Sequence, residues 1–260
     1  MASFDGGGKQ HNMTLREKKL AALGEVKIIK KQMVTHDLML MWLEKPEGYA
    51  YKPGQYCTIG REGIERAYSM ASAPHESFIE LFVEIVPPPE GQLTPKLAKL
   101  NVGDALTIRP RAKGIFVFKP ELPKQFLVAT VTGVVPYVAF LRDYIHTNKT
   151  GHHFYVLMGA SYMNEFTYKD ELEKIANARP DLLTFVPTVS RPKEAVNASW
   201  KGETGRVNAI AERLAAQWGM TPSDTIVYAC GHPGMIESIK EQFEPKGYKF
   251  EEERFWKEDD

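Results

Sequence analysis

Phe126–Leu141 reads FLVATVTGVVPYVAFL. The stretch is apolar enough to raise the question of a membrane span, but Thr130, Thr132, Gly133 and Pro136 cut it in three. FLVAT is a strand, TVTG a turn of small residues, and PYVAFLRDYIH a helix with its proline near the start, where a missing N–H costs nothing. A strand passing straight into a helix is one half of a crossover unit, and the unit recurs downstream. FYVLMGA (Phe154–Ala160), LLTFVPTVS (Leu182–Ser190) and TIVYAC (Thr225–Cys230) are near-continuous apolar runs, as parallel strands covered on both faces require. TYKDELEKIANA, GRVNAIAERLAAQW and PGMIESIKEQF carry helical spacing between and after them. Strand then helix, repeated, predicts a doubly wound parallel sheet.

Upstream the rhythm differs. VKII, LMLMWLE, QYCTIG, FIELFVEIV and DALTI are short apolar runs punctuated by KPEGYAYKPGQ and VPPPEGQ. Many short strands with few helix-length periods predict an antiparallel sheet or barrel. Within it LTPKLAKL is the exception: Leu93, Leu97 and Leu100 share one helix face, with Thr94 at the N-cap and Pro95 at the first helical position. The reading is therefore α/β plus all-β. A loose tail covers residues 1–20, a β-barrel domain 21–120 and an α/β domain 121–260, the two joined through FKPELPKQ.

The charges balance, with Lys+Arg 33 and Asp+Glu 33, so no global field draws the chain to nucleic acid or to an acidic membrane. Cys57 and Cys230 are its only cysteines. Two thiols exclude a four-cysteine iron–sulfur cluster within the chain and argue against a disulfide framework. The simplest placement is cytoplasmic. No histidine has metal-ligand spacing, so no metal is expected.

Ligands of open parallel sheets lie outside the carboxyl ends of the strands. The loops there are TVTGVVP, GASYMNE, VSRPKE and CGHPGM. They offer free helix amides and, in Arg191 and Arg206, two guanidinium groups: a phosphate-binding chemistry. In the first half, RAYSMASAP (Arg66–Pro74) spends strand positions on a cation, an aromatic and a hydroxyl where Val or Ile would be expected. The period of two puts Arg66 and Tyr68 on one side, roughly 7 Å apart.

With GQLTPKL, ATVTGVVPY, VSR, GR, CGHPGMI and the closing RFW, this series resembles the ferredoxin–NADP reductase family in its bacterial, ferredoxin/flavodoxin-reducing branch, over roughly residues 22–256. The resemblance implies FAD on the barrel and NADP(H) on the parallel sheet. Tyr68 would stack on the isoalloxazine, Arg66 would pair with the diphosphate, and Ser69 would offer a hydrogen bond near the reactive ring nitrogen. Gly91, Leu93 and Thr94 would bring amides and a hydroxyl to the diphosphate. Met70, Ala71 and Ser72 would line the flavin, and Trp256 would cover part of the FAD, its adenine or its isoalloxazine. On the nucleotide side Thr130 and Thr132 would meet the nicotinamide half, and Arg191 and Arg206, helped by Lys193, the 2′-phosphate. Cys230 and Gly231 would shape the nicotinamide pocket, Cys230 facing the point of hydride transfer. Ser69, Cys230 and Tyr68 are thus the candidate catalytic residues.

The implied function is electron transfer between NADP(H) and a one-electron carrier, ferredoxin or flavodoxin, through hydride transfer to the flavin in a monomer. Arg109, Arg111 and Lys113 form a basic cluster suited to an acidic carrier. Two positions depart from the family pattern. Val131 stands where a first glycine is usual, and Ser161 where NADP-dependent members often carry arginine. They keep two alternatives open: an NADH-preferring flavin or oxygenase reductase, and a non-catalytic FAD electron-transfer subunit with weak nucleotide binding.

Overall fold

The structure, a computed structural model, describes residues 23–254. The tail expected over residues 1–20 and Trp256 lie outside the described residues.

Six antiparallel strands come first: β1 (Gly24–Met33), β2 (Leu38–Glu44), β3 (Tyr56–Arg61), β4 (Ile64–Ser69), β5 (Phe78–Glu84) and β6 (Ala105–Ile108), in the order β4-β3-β6-β1-β2-β5. The β3–β4 hairpin turns on Glu62 and Gly63, both at positive φ, the geometry that matches the strand twist of a two-residue turn. The outer strands β4 and β5 nearly close the barrel. Beyond Ser69 the chain crosses to β5: Ala71 N–H donates to Glu80 O (2.8 Å) and Glu80 N–H to Ser72 Oγ (3.1 Å).

Met39, Met41 and Leu43 of β2 point into the barrel, whereas Leu38 and Leu40 join a second core outside it. That two-sided burial explains why LMLMWLE is apolar throughout. A short helix, α1 (Thr94–Lys99), buries Leu97 against the barrel. Its N-cap is Leu93, without a side-chain bond, so the start lies one residue before the Thr94 cap expected from sequence.

The second sheet is wholly parallel, in the order β10-β9-β8-β7-β11-β12. Its strands are β7 (Lys124–Thr130), β8 (His153–Ala160), β9 (Leu183–Val189), β10 (Glu203–Thr204), β11 (Thr225–Gly231) and β12 (Lys249–Arg254). Helices α2 (Val135–His146) and α3 (Lys169–Ala178) contribute to the core on one face, and α4 (Val207–Gln217) and α5 (Pro233–Phe243) to the core on the other. The order reverses between β7 and β11. The core under α2 also takes in Leu38, Leu40 and Phe82 from the barrel's outer wall. At roughly 1.5–3 kcal/mol for each large side chain buried, this shared core fixes barrel against sheet.

Candidate functional site

Two clefts open along that junction. Arg66 and Tyr68 both line the first, as the strand period requires. Arg66 is steadied by bonds from Nη1 to Glu65 O (2.8 Å) and from Nη2 to Gln92 Oε1 (3.3 Å). The Tyr68 ring rests partly on the barrel core, and burial raises its phenol pKa, against a smaller opposing pull from Arg66. Ser69 is 5% exposed, lines the same cleft, and its Oγ has no hydrogen-bond partner. A buried hydroxyl left without a partner costs about 1–3 kcal/mol. One that faces a cleft is completed by a ligand's polar atom.

Gly91, Leu93 and Thr94 form the far wall. A Cβ at Gly91 would lie 1.7 Å from Val86 O, so only glycine lets the loop close there. Thr94 Oγ1 accepts from Val86 N–H (3.0 Å) and donates to Val86 O (3.2 Å). Its hydroxyl closes the loop, and Thr94 keeps its place in the cleft wall. The expectation for Met70, Ala71 and Ser72 is corrected. All three are fully buried, Met70 in the barrel core and the other two in the crossing to β5, because the chain has left β4 and its alternation.

The second cleft lies at the carboxyl ends of β7, β8, β9 and β11, over the reversal of strand order. Thr130, Thr132, Arg191, Arg206 and Gly231 line it together. Thr130 Oγ1 accepts from His232 N–H (2.9 Å). Gly231, at φ 129°, leaves no room for a Cβ, which would sit 2.2 Å from Thr130 Oγ1. A Cβ at Gly133 would lie 2.0 Å from Cys230 O. Strand ends and helix starts therefore meet backbone to backbone. Cys230 pays out its side chain on the other side: it is fully buried, lines neither cleft, and burial pushes its thiol well up. The expectation that it faces the reaction point is not met by its thiol.

Val131 adopts φ 41°, a left-handed conformation that is a true outlier for a β-branched residue. Arg191 donates from Nη1 to Tyr162 Oη (2.7 Å). Arg206 is the N-cap residue of α4, so its guanidinium and the free amides of that helix serve one wall.

Three further residues were not found from sequence. Asn197, 2% exposed, donates from Nδ2 to Ser161 O and Arg191 O (both 2.9 Å) and accepts from Met163 N–H (2.7 Å). It ties the loops after β8 and β9 together, and nothing in its local sequence marks it. Glu253 sits beside Cys230 in the β11–β12 register, its carboxyl pushed up to about 7 by burial. Glu84, at the end of β5, lines both clefts, as does Thr132. The resemblance sets the segment of Glu84, FVEIV, beside the flavin but singles out no side chain there. Among the described residues no His, Cys, Asp and Glu are grouped as a metal site, and no helix is long and apolar enough to cross a membrane.

A near-closed barrel and a doubly wound sheet whose clefts meet at Thr132 define a two-domain oxidoreductase. Residues 25–116 match the oxidoreductase FAD-binding domain family and residues 127–241 the oxidoreductase NAD-binding domain family. The ferredoxin–NADP reductase B of Sorangium cellulosum is 31% identical over 210 residues, 76% of this chain and 82% of that one. A ferredoxin–NADP reductase of Pseudomonas aeruginosa is 27% identical over 215 residues, 78% and 81%. The fold matches a crystal structure of a ferredoxin NADP+ reductase from Neisseria gonorrhoeae with bound FAD and NADP, at TM-score 0.79 and 22% identity, covering 90% of this chain and 99% of that one. The chain belongs to the ferredoxin–NADP reductase family. It is an FAD-dependent oxidoreductase.

Proposed function

We propose that this chain passes electrons between NADP(H) and a one-electron carrier, ferredoxin or flavodoxin, through FAD held in the first cleft. The observation that carries the reading is the orphaned, buried Ser69 hydroxyl in a cleft that meets the dinucleotide cleft at Thr132. When bound, FAD would take one hydride, an electron pair with its proton, and give up the two electrons singly, which a nicotinamide does poorly. The chain's own residues supply the rest. Arg66 pairs with the diphosphate, Tyr68 lies against the ring system, and Ser69 donates to a ring atom. Phe82 and Val135, also on the cleft wall, exclude water from that point. Thr132 positions the nicotinamide ribose or ring. The amides at the start of α4 and of the β7–α2 turn face the dinucleotide phosphates, and Arg191 and Arg206 take the 2′-phosphate.

Arg109 is held by Glu65 through two bonds (3.0 and 2.9 Å). Arg111 and Lys113, exposed and without an ion pair among the described residues, remain to meet an acidic carrier. We place the protein in the cytoplasm as a monomer.

Ser161 favours a second reading, an NADH-preferring reductase, because the loop after β8 brings no cation and its amides bind Glu165 Oε2 (2.8 and 3.0 Å). One experiment separates these. The purified protein shows a flavin spectrum, and anaerobic stopped-flow mixing bleaches it faster with NADPH than with NADH. Faster bleaching by NADH would establish the second reading. A flavin that stays oxidised with both would overturn the enzyme.

A further inference from the structure

Any ligand that reaches from the dinucleotide cleft into the flavin cleft passes Thr132 and Glu84, the two residues common to both walls. Along the dinucleotide cleft the other ionisable side chains are Arg191, Arg206 and His232; Glu84 is its one carboxylate among the described residues. A dinucleotide brings its phosphates with it, so an acidic group lining the same cleft opposes what the helix amides and the two arginines attract.

Glu84 is exposed at the end of β5, and the charges around it are mostly of its own sign. Three groups face it: Asp37 from the β1–β2 connection, Glu165 from the loop after β8, and His232 at the start of α5. Asp37 accepts from the Thr35 hydroxyl (2.5 Å), and Glu165 Oε2 accepts from the Ser161 and Tyr162 amides. Both carboxylates are thus stabilised by donors of their own. His232 is occupied as a cap, its Nδ1 accepting from Gly234 N–H (3.1 Å). The Glu84 carboxyl has no hydrogen bond or ion pair among the described residues, while its backbone pairs with Leu38 in the sheet. Desolvation in the cleft wall, then Asp37 and Glu165, raise its pKa, with His232 opposing.

We propose that Glu84 sets the affinity for the dinucleotide: ionised at the crossing between the clefts, it repels the phosphates bound along the adjoining cleft, and the chain takes up a solvent proton on this carboxylate when the dinucleotide binds. The proposal rests on the reading that FAD and a dinucleotide occupy the two clefts. Affinity then falls as pH rises through the Glu84 titration, because the charged form is the one that opposes the ligand.

The test is calorimetric titration of 2′-phospho-ADP-ribose, which keeps the phosphates of NADP+ and lacks its cationic ring, into the FAD-loaded full chain, in two buffers of different ionisation enthalpy, for the wild type, Glu84→Gln and Glu84→Ala. The wild type takes up a proton. Both variants bind about tenfold tighter near neutral pH, the equivalent of one pKa unit of coupling, with no uptake, a flattened pH dependence and unchanged flavin content. Variants that bind no tighter, or more weakly because the carboxylate accepts a ribose hydroxyl, overturn the proposal. Proton uptake that persists in both variants assigns it to His232 and also overturns it. If neither wild type nor variants bind NADP+ or NAD+ while flavin stays bound, the underlying functional reading falls, and the proposal with it.

Discussion

Val131 holds φ 41° in the turn that lines the second cleft, and a β-branched residue there stores roughly 1–3 kcal/mol of strain. Glycine would release it, less about 1 kcal/mol for the added freedom of the unfolded chain. V131G is therefore expected to raise the denaturant midpoint slightly and, by removing two methyl groups from the cleft, to tighten NADP+ binding; equilibrium unfolding and a binding titration check both. Ser69 gives an opposite pattern. In S69A the flavin stays bound through Arg66 and Tyr68, but its reduction by NADPH slows roughly two- to tenfold, the net worth of one hydrogen bond of about 0.5–1.5 kcal/mol. The flavin-free protein loses no stability, because the hydroxyl has no partner there; stopped-flow rates and apo-protein melting separate the two effects. Arg66 and Tyr68 could be placed together from sequence because a strand's alternation is local. Ser72, Thr94 and Cys230 could not, because what each side chain does is set by a distant partner: Glu80 N–H for Ser72, the Val86 backbone for Thr94, and the close approach of Gly133 for the backbone of Cys230. Glu84 and Asn197 belong to the same class, since their roles come from loops that meet only in the fold.

Among the elements, the apolar strands were legible because each is covered on both faces, as the burial of every residue of β11 illustrates. β12 was not. KFEEER is an edge strand paired only with β11, and a charged edge is how sheets avoid pairing with other chains, so hydropathy reads it as a tail. Its charges are used one by one: Glu251 pairs with Lys119, and Glu252 with Lys240 and Arg254. Glu253 lies between them, its carboxyl raised from 4.5 to about 7 by burial. A carboxyl raised on folding binds its proton more tightly in the native state. Its contribution is present below the unfolded value and lost as pH rises through the folded one. Stability should thus fall as pH climbs from about 4.5 towards 7, by about 1 kcal/mol once solvent screening is counted. E253Q should flatten that slope, which thermal midpoints across the window would show; an unchanged slope would place the titration elsewhere.

Across the whole molecule, what joins barrel to sheet is ionic as well as apolar. Arg142 of α2 donates to Glu80 Oε2 (2.7 Å) and Ala71 O (3.3 Å) on the barrel side, and to both oxygens of Glu171 (2.8 Å each) from α3. Tyr168 Oη completes the set on Glu80 Oε1 (2.9 Å). Burial works against the Arg142 charge, but Glu171 and Glu80 outweigh it and its pKa is raised. Glu80 is 3% exposed, so R142M would strand a buried carboxylate and cost about 3–5 kcal/mol. The double variant E80Q/R142M should recover much of that, since neutral groups need no counter-ion. Consequences for function follow from position: α2 begins at the turn that carries Thr132, and Ala71 lies two residues beyond Ser69 on the flavin side. Loosening the clamp lets the two clefts shift relative to each other, and a misplacement of about 1 Å can cost on the order of a hundredfold in rate. R142M should accordingly reduce its flavin slowly on mixing with NADPH while keeping wild-type flavin content and NADP+ affinity. A wild-type reduction rate in a destabilised R142M would show that the clamp holds the molecule together without setting the distance across which the hydride moves.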